Sequence, residues 1–503
     1  MIVSAFAMTV MLGVPSAAAP QGSSGIGLGL YKPRTDLWLN DPRIVLVDGV
    51  YHLYLQQPPR EIGHAISKDL VSWTWQPGGI SRGPVGSWDD KDICTSGFFY
   101  WQGVFYALYT GRCNAEDGRV QRIGLATSTD GRSFRRHPKN PVLVADPRWY
   151  ETDPRNSPGY GNVAWRDPAI LRNPADGWFY AYITGRLNKG PGPKRGCIAL
   201  ARSKNLIDWE CLPPCYAPGL EQYHEVPQLL RWKDGRYVLF FGCKRGGFTH
   251  MRYVFGTDPL RFDSADPGRL FLGCPVLRSG RGMEYSSWVV PRGRGLDVIH
   301  LVYEWQRGAL HRGRISLPKR LSGAPETGLI LTLREDLKPR GQDAIDLRRL
   351  RPSGQWRIAR DQVIAAPEGP LTTLPLPGTG ARTLSVDLSV SAGGTAGVAL
   401  DHKPNGDSAL RVLLSSDGRI ATRTHSISTR QKWNVGRRTG VLAVTVVGKH
   451  LGVYFDGRFL GNACAAKDPS TDTLSLICSG KARCAFGGLA QRTLPMAHVY
   501  ARK

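Results

Sequence analysis

The sequence contains no two cysteines in CxxC spacing, which argues against a structural zinc site. The closest approach, Cys211-Leu-Pro-Pro-Cys215, has the wrong residues between its thiols for a redox centre. Calcium-loop spacing of the DxDxDG kind is missing too, and no metal or other cofactor is expected. Beyond the first 20 residues there is no apolar run long enough to span a bilayer, so no membrane insertion is expected. Basic residues form no run and no nucleic-acid motif, and no nucleic-acid partner is expected. Amphipathic helices of the length that separates strands in doubly wound or α/β-barrel folds are also lacking.

What is present is a long globular chain. Its 503 residues allow more than one domain, and 41% hydrophobic content separates it from disordered chains. Lys plus Arg number 66 against 41 Asp plus Glu, a net charge of +25. Spread along the chain, that charge reads as a solvated basic surface, and it leaves open attraction to an anionic cell-wall polymer. Residues 1–20, MIVSAFAMTVMLGVPSAAAP, pair an apolar stretch with small residues suited to signal cleavage. They lack a positive n-region, so the natural start can lie upstream of Met1. A secreted or periplasmic protein is expected. The ten cysteines then permit disulfides, of which Cys94–Cys113 is one weak candidate.

One pattern recurs five times: a Gly or Asp, then an alternating aromatic-rich strand. The copies are DGVYHLYLQ (48–56), QGVFYALYTG (102–111), DGWFYAYITG (176–185), DGRYVLFFG (234–242) and GLDVIHLVYEW (295–305). Three copies are followed by a strand and a Ser-x-Asp/Asn turn, with Asp69, Asp130 and Asn205 as the turn residues. A unit of roughly 50 to 70 residues built from short antiparallel strands has the scale of a propeller blade. The fold class expected is all-β: a five-bladed β-propeller over residues 30–320, a linker over 321–350, and a β-sandwich over 351–503.

Acids stand before the first strand of three units. Asp41-Pro42 precedes Tyr51 by ten residues, Asp167-Pro168 precedes Phe179 by twelve, and Glu225-Val-Pro227 precedes Tyr237 by twelve. The other two units place Thr95-Ser96-Gly97 and Ser286-Ser287-Trp288 there. Counted this way the positions are equivalent, and the acids face one another across the funnel. Three converging carboxylates repel, so a use must offset that cost. Glycosidic cleavage, with one carboxyl as acid and one as nucleophile or base, is such a use.

WLNDP, WRDP and YHEVP, with GHAISKDLVSW after the first, resemble glycoside hydrolase family 32, the invertases, levanases and inulinases. The resemblance implies that Asp41 is the nucleophile, Glu225 the general acid and then base, and Asp167, beside Arg166, a stabiliser of the transition state. It also places Asn40, Gln56, Trp38, Ser96 and Trp88 around the sugar. Trp38 and Trp288 stack on a sugar face or fill core; His224 contacts a hydroxyl or is a buried, satisfied histidine. Two departures stand out. Arg43-Ile44 follows Asp41-Pro42 where the family has Asn-Gly, and Val226-Pro227-Gln228 follows Glu225 where it has Cys-Pro-Asp.

The expected activity is cleavage of β-fructofuranosidic bonds in an oligo- or polysaccharide with retention of configuration. The alternatives are an arabinofuranosidase or related pentosidase on the same propeller, as in family 43, and a propeller that binds glycans without cleaving them.

Overall fold

The structure, a computed structural model, describes residues 26–27, 39–57, 60–245, 248–273, 284–306 and 309–352. In the C-terminal third it describes 355–359, 362–365, 372–378, 382–402, 408–423, 432–447, 450–464, 473–480 and 483–494. The expected signal segment, residues 1–20, lies outside these. Among the described residues the only helical turns are short 3-10 turns, and no helix is long and apolar enough to cross a membrane.

Five antiparallel sheets form the blades of a propeller. Their inner strands are Asn40–Val47, Asp92–Trp101, Trp165–Arg172, Glu225–Arg231 and Glu284–Arg292. The aromatic-rich repeats form the second strand of each blade, such as Val50–Gln57 and Phe179–Arg186. Alternation at period two lets these strands bury side chains on both faces between neighbouring blades; Tyr54, Tyr109 and Tyr182 are fully buried.

The repeated turn has the expected mechanism. The Asp69 carboxylate accepts from the backbone N–H of Val71 and Ser72 (2.8 and 2.7 Å), and Asp130 from Arg132 and Ser133 (both 2.8 Å). Asn205 accepts from Ile207 and Asp208 (3.0 and 2.9 Å). The residue after each is left-handed: Leu70 (φ 65°), Gly131 (φ 69°) and Leu206 (φ 65°). Side-chain contacts join the first and last blades. Trp288 Nε1 donates to the Ile44 carbonyl (2.9 Å), and the Tyr51 hydroxyl to the Pro291 carbonyl (3.1 Å).

The stretch expected as a linker begins differently. Lys319–Ala324 and Gly328–Leu333 form a hairpin on the Gly295–Gln306 strand of blade 5. Short 3-10 turns follow at Glu335–Leu337, Gly341–Asp343 and Leu347–Arg349. Pro318 and Pro325 bound the first strand of this hairpin without excluding it.

Two sheets then pack face to face over an aliphatic core that includes Leu384, Val386, Val398, Val412, Val444 and Leu476. One of them is continuous with blade 5, through Thr332 opposite Arg458. Nearby, the buried Glu284 carboxylate accepts from the Asn462 backbone N–H (2.5 Å). Cys478 and Cys484 form a disulfide in the sandwich. Cys94 and Cys113 are not bridged; the Cys113 thiol donates to Glu116 instead (3.2 Å).

Candidate active site

Each inner strand breaks its pairing at one place. Asn40 pairs with Gln56 and Arg43 with Tyr54, so Asp41 and Pro42 together stand opposite Leu55. The same two-against-one irregularity holds Thr95-Ser96, Asp167-Pro168, Val226-Pro227 and Ser286-Ser287. A β-bulge bends its strand and re-aims a side chain, here at a matching position in all five blades. Its first residue is left-handed in four of them: Asp41 (φ 48°), Asp167 (φ 57°), Val226 (φ 47°) and Ser286 (φ 48°). Non-glycine residues held there cost about 1 kcal/mol or more each, so the surrounding blades must hold these turns in place.

The bulges correct the expected register. Asp41 and Asp167 are equivalent to each other and to Thr95, Val226 and Ser286. Glu225 sits one residue earlier, in line with Asn40, Cys94, Arg166 and Tyr285. Counting back from the next strand fails because the connection varies, from Asp48-Gly49 in blade 1 to residues 173–178 in blade 3.

The three acids nonetheless converge on one pocket of about 280 Å³, lined also by Asn40, Gln56, Arg60, Cys94, Thr95, Arg112, Gln121, Arg166, Tyr223, Val226, Thr249 and Tyr285. One oxygen of Asp41 is engaged: Oδ2 accepts from the Asn40 amide (2.9 Å) and from the Thr95 hydroxyl. Asp167 is 3% exposed, and its Oδ2 accepts from the Thr184 hydroxyl (3.0 Å) and the Val226 N–H (3.1 Å). Burial pushes Asp167 up to about 6; Arg166 opposes that, while Asp41 and Glu225 reinforce it. Glu225 is more open, with its side chain 25% exposed. It accepts from the Arg166 guanidinium on Oε1 and from the Tyr285 hydroxyl on Oε2 (2.6 Å). Arg166 is aimed by Tyr160 (3.0 Å) and Gln121 (3.3 Å) and lies 3.5 Å from Asp167.

Such an arrangement can present a carboxylate oxygen to a carbon electrophile from Asp41 and exchange a proton at Glu225. A cation stands between the second and third acids. Among the described residues no group of three or more His, Cys, Asp or Glu is placed to hold a metal ion.

Of the residues singled out in the sequence, the pocket gathers Asn40, Asp41, Gln56, Arg166, Asp167 and Glu225. Trp38 lies outside the described residues. Four others do not line the pocket. Ser96, the second bulge residue, bonds back to the Cys94 carbonyl (3.1 Å), and its neighbour Thr95 reaches Asp41. Trp88 packs behind blade 2 against Tyr109, with ring centroids 5.6 Å apart. His224 is fully buried and paired with Glu221 (2.9 Å), which turns it from the cavity. Trp288 lies past the blade 5 bulge, 8% exposed, against the Arg43 guanidinium.

Arg60, Thr95, Arg112, Tyr223 and Tyr285 line the pocket without having been singled out. Arg112 is held by Asp92 (2.7 Å) on the blade 2 wall. Tyr285 occupies in blade 5 the place Glu225 has in blade 4, a correspondence that only the bulges reveal.

A larger cleft, about 690 Å³, lies where blades 4 and 5 meet the sandwich. Its two carboxylates are already engaged, Glu284 by Asn462 and Asp456 by the Val441 N–H (2.9 Å). It holds no converging acids, so size does not mark the site of chemistry here.

Residues 31–259 match the family described as Glycosyl hydrolases family 32 N-terminal domain. The sucrose-6-phosphate hydrolase of Escherichia coli is 30% identical over 253 residues, 46% of this chain and 47% of that protein. The levanase of Bacillus subtilis is 33% identical over 187 residues, 34% of this chain and 24% of that protein. The match thus spans less than half the length of these relatives. Among solved structures, a β-fructofuranosidase of Bombyx mori superimposes with a TM-score of 0.66 at 17% identity, covering 93% of both chains. Fructan 1-exohydrolase IIa of Cichorium intybus gives 0.63 at 18%, covering 92% of this chain and 97% of that one. These likenesses extend the shared fold across propeller and sandwich together.

Proposed function

We propose that this chain, whose residues 31–259 match the glycoside hydrolase family 32 N-terminal domain, hydrolyses β-fructofuranosidic bonds in oligo- or polysaccharides by double displacement. Asp41 attacks the anomeric carbon through Oδ1, since Asn40 and Thr95 occupy Oδ2. Glu225 protonates the departing oxygen, then takes the proton of the incoming water. Asp167 and Arg166 hold the sugar hydroxyls, and Arg166 also tethers Glu225.

The observation that carries this reading is the convergence of two bulge acids and one flanking acid on one pocket, with a carboxylate oxygen of Asp41 left for attack. Fructofuranosides rank above pentosides because the sequence relatives above act on a sucrose phosphate and on levan by name. Export belongs to the same reading, supported by the apolar, alanine-rich residues 1–20. Attraction to an anionic wall polymer is supported by the net charge of +25.

The test is a screen for released monosaccharide against sucrose, sucrose 6-phosphate, levan, inulin, arabinan and aryl furanosides. Fructose from one of the first four is expected; arabinose alone would move the chain to the pentosidase reading, and no release would favour a binding propeller.

A further inference from the structure

Arg43 stands where the resemblance has asparagine, two residues past Asp41. It is 1% exposed. Its guanidinium lies over the Trp288 ring, 4.7 Å from the centroid, and Nη1 donates to the Pro42 carbonyl (3.0 Å). Nε and Nη2 are buried with no hydrogen-bond partner. The equivalent positions past the other bulges are Gly97, Ala169, Gln228 and Trp288. Blades 2 and 3 therefore contribute almost no side chain at this level. A Cβ on Gly97 would come within 2.1 Å of the Pro168 carbonyl oxygen.

A buried cation with two unpaired N–H groups is costly unless fixed negative charge faces it. Burial pulls the Arg43 guanidinium down from its ordinary value, and Asp41 first and then Asp167 pull it back. Arg43 in turn acts on Asp167, opposing the rise that burial and the neighbouring acids cause there.

We propose that Arg43 is a positioning residue that stabilises the free Asp41 carboxylate and so speeds the second half of the reaction. The inference rests on the reading that Asp41 forms the sugar ester. When the first bond breaks, Asp41 gives an electron pair to the anomeric carbon, Glu225 gives its proton to the departing oxygen, and the Asp41 charge is lost. When water attacks, its oxygen bonds to the anomeric carbon and its proton passes to Glu225. The ester carbon–oxygen bond breaks, and its electron pair returns to Asp41. A fixed cation favours the states in which Asp41 is charged. It holds back ester formation and makes Asp41 a better leaving group in ester hydrolysis.

Neutralising Arg43 must then separate two kinetic constants that a loss of folding would lower together. Arg43→Gln, with Arg43→Met as an alternative of similar volume and Arg43→Lys as the charge-retaining control, would be compared with wild type on sucrose or whichever fructan wild type cleaves. Rapid quench and intact-protein mass give the fraction of enzyme held as fructosyl ester.

In the neutral variants kcat is expected to fall about tenfold while kcat/KM holds or rises, with the ester fraction and the glucose burst increasing. Arg43→Lys should restore the wild-type pattern. Parallel falls in kcat and kcat/KM with no ester accumulating overturn the inference, as does an unchanged ester fraction. Wild type that releases no fructose from any of these sugars would overturn the proposed function itself, a result read before any variant.

Discussion

Replacing Asp167 by asparagine is expected to inactivate the protein and stabilise it in the same step. Asp167 is almost wholly buried beside Arg166, and Asp41 and Glu225 are near enough to act on it. Burial, the largest influence, raises its carboxyl from the ordinary 3.8 to about 6. The folded state therefore holds this proton to higher pH than the unfolded chain does. Stability from this group is complete below about 3.8 and is lost as pH rises through about 6. At about 1.4 kcal/mol per pH unit, the loss at neutral pH is about 3 kcal/mol.

Asparagine does not ionise and escapes this loss. It also tolerates the left-handed backbone at this bulge, and its amide oxygen can still accept from Thr184 and Val226. Unfolding midpoints of both proteins in urea and on heating, taken from pH 4 to pH 8, give the difference. Any altered hydrogen bond adds a constant offset, so the diagnostic quantity is the slope. Asp167→Asn should gain on wild type steadily across the window where Asp167 titrates and level off above it. A difference that stays flat, or that turns against the variant as pH rises, would refute the account of Asp167 as a buried charge kept for chemistry at a cost in stability.

Other expectations follow from single contacts. Tyr285→Phe removes the hydroxyl that holds Glu225 Oε2 and should lower kcat about tenfold with little change in KM, read in steady-state assays of fructose release. Thr95→Val should lower kcat by about tenfold or more and Thr95→Ser should recover most of it, since the hydroxyl to Asp41 is what matters. Ser96→Ala should leave kcat/KM near wild type, because the Ser96 hydroxyl serves the Cys94 carbonyl. Gly97→Ala should lower the melting temperature and the soluble yield, because its methyl group meets backbone at the blade 3 bulge.

The sequence made the blades legible because aromatic and β-branched residues at period two have few other structural meanings. The Ser-x-Asp/Asn turns were legible for a similar reason: the side chain builds the turn locally, as Asp69 and Asp130 do. The bulges were not. A bulge is defined by what lies opposite it, and no local pattern at Thr95-Ser96 or Ser286-Ser287 announces one. That is why Glu225 was read at the Asp41 position when it stands one residue before it, and why Ser96 was chosen over Thr95.

His224 was placed near the sugar because it neighbours Glu225, and Trp288 because the count put it at the funnel position of blade 5. His224 precedes the strand and Trp288 follows a bulge, and Glu221 and Arg43 are the partners those two side chains meet. Arg60 and Arg112 reach the pocket from the second-strand ends of blades 1 and 2, and only the closed ring brings them there. Arg43 was visible as a departure from the family pattern. Its meaning as a buried counter-charge needed the fold.

The most direct test of the central claim is the turnover of sucrose and levan by Asp41→Asn. Asparagine keeps the left-handed bulge and the volume while removing the attacking charge. The account predicts a folded protein, judged by an unchanged far-ultraviolet spectrum, whose fructose release falls by roughly ten-thousandfold or more against wild type. A folded Asp41→Asn that releases fructose at the wild-type rate would contradict it.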